Sequence, residues 1–169
     1  MKWPPGYRVE PLDLQDRTVF SCGKPSLDRY LKTQVGQDRK RDLTRCYVLI
    51  HADNPQRILA YYTLSSAAVH SSTLPEGHRL PYTEVPCLLL GRLARDESVR
   101  GSGLGRGLLL HVLSEIARLA EEVGIFALLV DALDEEATLY YQSWDFTPLE
   151  GNRLFLTVKD IRATLRALG

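Results

Sequence analysis

Apolar positions along this 169-residue chain recur with two periods, one helical and one extended. In "KPSLDRYLKTQVGQD" the residues Leu27, Tyr30, Leu31 and Val35 fall on one helical face, with Ser26 expected as the N-cap. Gly36 and "QDRKRD" then read as a charged break. Residues 7–12 predict a first strand. The β-branched and aromatic content of "TRCYVLIHA" and "RILAYYTLSSAAV" predicts two more, and "DNPQ" between them makes a hairpin. Residues 71–86, with Pro75, Pro81 and Pro86, read as a long connection of the kind that often carries function. "CLLLGRLAR" is almost wholly apolar, as expected of a central strand covered on both faces. A helix follows with Leu109, Val112, Leu113, Ile116, Leu119, Ala120 and Val123 on one face and Gly124 as its C-terminal cap. "IFALLVDA" is a buried strand, "DEEATLYYQSW" a short helix capped by Asp134, "NRLFLTV" a last strand and "KDIRATLRAL" a closing helix. The pattern predicts a mixed α/β sheet with a right-handed strand–helix–strand unit around residues 87–131.

Composition narrows this only a little. The length predicts one domain, residues 1–169, and a 44% hydrophobic content is enough for a real core. Lys+Arg and Asp+Glu balance at 21 each, so net charge argues neither for nor against nucleic acid or membrane. Cys22, Cys46 and Cys87 are scattered, and His51, His70, His78 and His111 are dispersed. Neither a disulfide framework nor a metal site is expected, and the cysteines read as packing residues. "MKWPPGYR" has no apolar run of a signal peptide, and no stretch is long enough for a membrane helix. A reducing, cytoplasmic setting is the expectation.

The chemistry starts at "VRGSGLGRGLLLHVL". Gly101, Gly103 and Gly105 stand directly before a helix, behind Arg100. A helix N-terminus presents unpaired N–H groups and the positive end of the macrodipole, and glycines let a ligand approach the backbone closely. Strand, glycine turn and helix together make an anion cradle, most often for phosphate. No GK[ST] closes the loop, and GSGLGRG lacks the dinucleotide-binding spacing. A surface loop that uses glycine only for tight packing is the alternative.

Arg100 to Gly105 spell R-x-x-G-x-G, which resembles the pyrophosphate loop of the GNAT N-acetyltransferases. "FSCGKPSLDRYL", "YYTLS", "LLLGRLARD" and "DALDEEATLYYQSWDF", in this order, further resemble the GNAT toxins of bacterial toxin–antitoxin modules. The resemblance implies the GNAT fold, a mostly antiparallel central sheet with a splayed strand pair, flanked by helices. It implies acetyl-CoA as co-substrate, with the backbone of Leu93, Ala94 and Arg95 pairing with the pantetheine arm. Arg100, Gly101, Ser102, Gly103, Leu104 and Gly105, with Arg106, would hold the pyrophosphate. The family's A-x-x-F-Y segment falls on Ala137 to Tyr141, so Tyr141 takes the place of the catalytic tyrosine. The family's Gly-Phe is Asp145-Phe146 here, and Asp tolerates positive φ less readily than Gly. The implied function is acetylation of the α-amine of aminoacyl-tRNA, which blocks translation. The implied partners are a ribbon–helix–helix antitoxin, operator DNA reached through the antitoxin complex, and a second copy in a homodimer.

The chemistry is self-consistent. An α-amine has a pKa near 8, and esterification of its carboxylate lowers that further, so no strong general base is required. A backbone N–H near Leu93 and Ala94 would serve the developing oxyanion, and Tyr141 the departing thiolate. Tyr141 as a core aromatic is the rival reading. Asp131, Asp134, Glu135 and Glu136 read as a cap and a solvated helix start. For tRNA, Arg92, Lys32, Arg39, Lys40 and Arg41 are the candidates, although aspartates flank the densest cluster. Acetylation of a small amine or a protein, or acetyl-CoA binding without catalysis, are the alternative functions.

Overall fold

The computed structural model describes residues 3–169. Seven strands form one sheet in the order β1-β2-β3-β4-β5-β7-β6. They are β1 (Tyr7–Pro11), β2 (Arg45–His51), β3 (Ala60–His70), β4 (Glu84–Arg95), β5 (Ala127–Asp131), β6 (Thr147–Pro148) and β7 (Arg153–Thr157). The helices are α1 (Pro25–Arg29), α2 (Val35–Lys40), α3 (Leu104–Leu119), α4 (Glu135–Gln142) and α5 (Val158–Leu168). The chain divides into two compact units, one running up to Ser65 and including Arg92–Val112, the other Ser66–Gly91 with Leu113–Gly169.

In the first unit β1, β2 and β3 pair antiparallel, so the expected hairpin is present, with Arg45 opposite Leu64 and Leu49 opposite Ala60. One core gathers Leu12, Phe20, Leu31, Val35, Ile50 and Tyr61. The Tyr61 hydroxyl donates to the Leu27 carbonyl at 2.6 Å, which ties α1 to β3. Two local expectations fail here. Helix α1 begins at Pro25 behind Lys24, with no side-chain cap, so Ser26 is not the N-cap. Pro at the first turn has its φ preset and no N–H to satisfy. The charged break comes later than expected, at Arg41 and Asp42. The chain passes through a π-helical turn, Tyr30–Gln34, straight into α2, which contains Gly36. Leu31 and Val35 are fully buried, and that packing outweighs the poor propensity of one glycine.

In the second unit β4 and β5 run parallel with α3 between them in sequence, as the predicted strand–helix–strand unit requires, and β7 lies antiparallel to β5. Asp131 and Arg153 face each other across that ladder and form a two-pronged ion pair at 2.8 and 3.0 Å. The long connection is ordered by Ser71, whose hydroxyl donates to the Leu80 carbonyl and accepts from the Leu80 amide, and by buried Leu74. Pro86 lies inside β4 rather than in the connection. Helix α3 ends at Leu119, where tightened bonds from Glu121 to Arg118 and Glu122 to Leu119 close the last turn. Gly124 is therefore not its cap, and Val123 is 58% exposed rather than on the buried face. The two-residue strand β6 is too short to show in the sequence pattern. Asp134 caps α4 as expected, accepting from the Ala137 amide at 2.9 Å.

The end of β4 is fixed by Asp96, which is 3% exposed. Its carboxylate accepts from the Ser21 amide at 2.8 Å, the Ser98 amide at 3.0 Å and Arg57 Nη2 at 3.0 Å. Burial alone would raise its pKa, but the bonds from Ser98, Ser21 and Arg57 outweigh burial and hold the carboxyl below its ordinary value. A depressed folded pKa adds stability above the unfolded value, near 4, and that stability is lost as the pH falls. Asp96→Ala is expected to lower the unfolding free energy by about 3 kcal/mol, because it strands Arg57 and two amides. Denaturant titration checks this, and below about pH 4 the wild type should lose stability more steeply than Asp96→Asn.

Candidate active site

The parallel ladder pairs Cys87 with Ala127 through Leu90 with Val130. β4 runs five residues further, to Arg95, while the chain leaves β5 at Asp131 for α4. Leu93, Ala94 and Arg95 thus lie beyond the paired stretch. Ala94 is buried in the first core, whereas Leu93 and Arg95 are half-buried.

After Asp96 the chain makes one short turn, Glu97–Val99, and enters the glycine loop. Gly101 and Gly103 have φ of +77° and +84°, a region side chains rarely adopt. A Cβ on either would meet nothing within 4 Å, so the space in front of the loop is open. Ser102 caps α3: its hydroxyl donates to the Val99 carbonyl and accepts from the Leu104 amide at 3.2 Å. Among the described residues the amides of Gly103 and Gly105 have no partner. The Arg100 side chain is 65% exposed and only 3.9 Å from Glu97 at its nearest. The stem of Arg95 lies so close to Gly105 that a Cβ there would come within 2.8 Å of it. Arg106 is exposed on the first turn of α3. Free amides, a helix N-terminus and exposed arginines make a site for a doubly charged phosphate group.

Tyr141 lies in the other unit, 7% exposed, against the rings of Phe146 at 5.3 Å and Tyr140 at 5.7 Å. Its hydroxyl hydrogen-bonds no described residue. Burial, with a smaller contribution from Tyr140, raises its pKa well above that of a free phenol, so it keeps its proton at neutral pH. Asp145 has φ of +70° at the end of α4, in the left-handed conformation that a glycine would take most easily. The Phe146 amide then returns to the Tyr141 carbonyl at 3.2 Å.

No family model matches the chain. It is 35% identical to a tRNA-acetylating toxin of Mycobacterium tuberculosis, over 90% of this chain and 92% of that protein. The crystal structure of a KacT mutant superposes with a TM-score of 0.87 at 33% identity, covering 94% of this chain and 99% of that one. AtaT complexed with acetyl-methionyl-tRNAfMet gives 0.85 at 32%, covering 94% and 98%. The chain belongs to the GNAT toxins. Two further solved members of the group are AtaTR bound with acetyl-CoA, at 32% identity and TM-score 0.84, and the AtaT–AtaR complex bound to DNA, at 31% and 0.74.

In this GNAT toxin the basic candidates share the first unit. Lys32 is exposed on the π turn, Arg39 and Lys40 end α2, and Arg41 follows it. None of the four makes an ion pair among the described residues. Of the flanking aspartates, Asp38 accepts from Tyr30 and Gln34 and acts on Arg41 without pairing with it, and Asp42 pairs with Arg45. Arg92 is held differently, with its guanidinium 3.5 Å from the centre of the Tyr30 ring. The sequence shows no local pattern for Asp96 or for the Tyr30–Arg92 contact, whose partners lie up to 75 positions away, and the Asp38 bonds to Tyr30 and Gln34, though local, were not read from it. Replacing Asp145 by Gly is expected to relieve the left-handed strain and raise stability by about 0.5–1 kcal/mol in thermal denaturation, with the helix otherwise unchanged.

Proposed function

We propose that this protein is an acetyl-CoA-dependent N-acetyltransferase that acetylates the α-amine of aminoacyl-tRNA and so stops translation. The observation that carries the proposal is the open glycine cradle between a strand end and a helix N-terminus, in a chain that belongs to the GNAT toxins. The cradle suits the pyrophosphate of coenzyme A: the amides of Gly103 and Gly105 are unpartnered, and Arg100 and Arg106 stand exposed beside them. The tRNA and acetyl-CoA complexes of AtaT support both substrates.

Acetyl-CoA supplies the acetyl group as a thioester. The loop amides of Arg100 to Gly105, with Arg106, fix the pyrophosphate, while the backbone of Leu93, Ala94 and Arg95 aligns the arm. An N–H of that strand faces the carbonyl oxygen as it gains negative charge. Tyr141 donates its proton to the departing sulfur and is reprotonated by the proton that the attacking amine gives up, and its unengaged hydroxyl supports this role. The incoming α-amine is already largely neutral near pH 8 and needs no dedicated base. Arg92, Lys32, Arg39, Lys40 and Arg41 hold the RNA, supported by the absence of ion-pair partners for them among the described residues.

A ribbon–helix–helix antitoxin neutralises the enzyme, and operator DNA is reached through that complex, a reading supported by the AtaT–AtaR complex on DNA. The protein works as a homodimer in the cytoplasm. No helix among the described residues is long and apolar enough to cross a membrane. We take residues 1–169 as one domain, since β3, β4 and α3 each run without a break from one unit into the other.

The test is transfer of labelled acetyl to charged tRNA, with deacylated tRNA, polyamine and bulk protein as parallel acceptors. Label should appear only with charged tRNA and leave as N-acetyl-amino acid on mild alkaline hydrolysis. Tyr141→Phe is expected to bind acetyl-CoA normally and to lose about 10²–10⁴-fold in turnover. Transfer at the wild-type rate removes the acid role from Tyr141.

A further inference from the structure

Arg92 is a half-buried cation near the end of β4, and a partly buried guanidinium ordinarily finds a carboxylate. Here it makes no ion pair or hydrogen bond among the described residues. It lies instead face-on to the Tyr30 ring, 3.5 Å from its centre. Tyr30 is buried, and its hydroxyl donates to Asp38 Oδ2 at 2.7 Å. The other oxygen of Asp38 accepts from Gln34 Nε2 at 3.3 Å. The nearby carboxylate thus hydrogen-bonds the tyrosine and its own helix, and acts on Arg92 only through space.

We propose that Tyr30 and Asp38 are positioning residues that hold the Arg92 guanidinium as a clamp for one backbone phosphate of the charged tRNA. The inference rests on the aminoacyl-tRNA reading and adds to it the device that orients the clamp. A face-on stack engages the π-face of the guanidinium and leaves its N–H donors at the edge, where a phosphate accepts them two at a time. Stacking also removes the freedom of a long side chain before RNA arrives, so less order has to be imposed on binding. The Asp38 bond fixes the ring that Arg92 lies on. Arg92 and Arg41 both act on the Asp38 carboxylate, so the clamp belongs to the same positive region as the end of α2. Arg92 also directly precedes Leu93, so a phosphate gripped there is referenced to the strand assigned to the acyl donor.

The experiment measures binding of fluorescent tRNA at several salt concentrations, together with kcat and KM for charged tRNA. The proteins are the wild type, Arg92→Gln, Tyr30→Leu, the double variant and Tyr30→Phe, with acetyl-CoA affinity as the control for folding. Arg92→Gln should weaken tRNA binding about tenfold and reduce the salt slope by about one. Tyr30→Leu should do nearly the same although every charge is still present, and the double variant should be no worse than either. The loss should appear in KM, with kcat at saturating tRNA close to the wild-type value. Additive losses, or wild-type tRNA affinity in Tyr30→Leu, overturn the device. Should Tyr30→Leu lose acetyl-CoA binding, Tyr30→Phe decides: tRNA binding weakened about threefold supports the device, and unchanged binding overturns it. A wild type that binds acetyl-CoA but neither binds nor acetylates charged tRNA overturns the aminoacyl-tRNA reading, and the clamp with it. Additive losses in an active enzyme overturn the clamp alone.

Discussion

Asp96 is the constraint on which the site depends. It sits where β4 ends and the glycine loop begins, and its buried carboxylate joins three segments far apart in sequence: Ser21, Arg57 and Ser98. The backbone repeats the connection, since the Asp96 amide donates to Leu59 and the Glu97 amide to Ser21. A loop with two glycines in the left-handed region has little rigidity of its own. It can present amides in a fixed direction only if its entrance is fixed from outside. The carboxylate does that at the entrance, and the Ser102 cap does it at the exit into α3. Between these two points lie the left-handed Gly101 and Gly103 and the unpartnered Gly103 amide.

The same economy governs charge. The chain carries 21 basic and 21 acidic residues, a sum that says nothing about where a phosphate could bind. What matters for a phosphate is the local balance, and the acids beside the basic stretch are engaged elsewhere. Asp38 hydrogen-bonds Tyr30 and Gln34, and Asp42 pairs with Arg45, which leaves Arg39, Lys40 and Arg41 without an ion-pair partner among the described residues. Net charge describes long-range steering, whereas a clamp depends on which cations have no carboxylate within reach.

Much of this was legible before the coordinates. The order of strands and helices follows from apolar periodicity, and the glycines in front of an apolar helix mark the loop, where Gly101 and Gly103 take the left-handed conformation. The Asp134 cap was readable because its bond to Ala137 is local. Other features were hidden for identifiable reasons. Gly36 and the five charged residues of "QDRKRD" suggest a break, yet buried Leu31 and Val35 carry the helix through to Lys40. Gly124 stands where a cap could stand, but α3 had already closed by tightening its last turn. Asp96 and Tyr30 take their roles from partners brought near by the fold, and one sequence does not encode such pairs in any local pattern. Propensity and periodicity thus recover elements and motifs, while the residues that orient the motifs come only from tertiary contacts.

Asp145 shows what the site demands of its surroundings. A residue with a Cβ at φ +70° is held there against its preference. The strain persists because the turn it makes returns the Phe146 amide to Tyr141 and packs the Phe146 ring against the Tyr141 ring. If α4 ended in a relaxed coil instead, Phe146 would lose that place, and the Tyr141 ring would lose one wall. Burial raises the Tyr141 pKa above that of a free phenol, so the hydroxyl stays protonated, as the role proposed for it requires. The strained turn is therefore part of the same arrangement as the tyrosine: it keeps the ring buried while the hydroxyl is left without a protein partner.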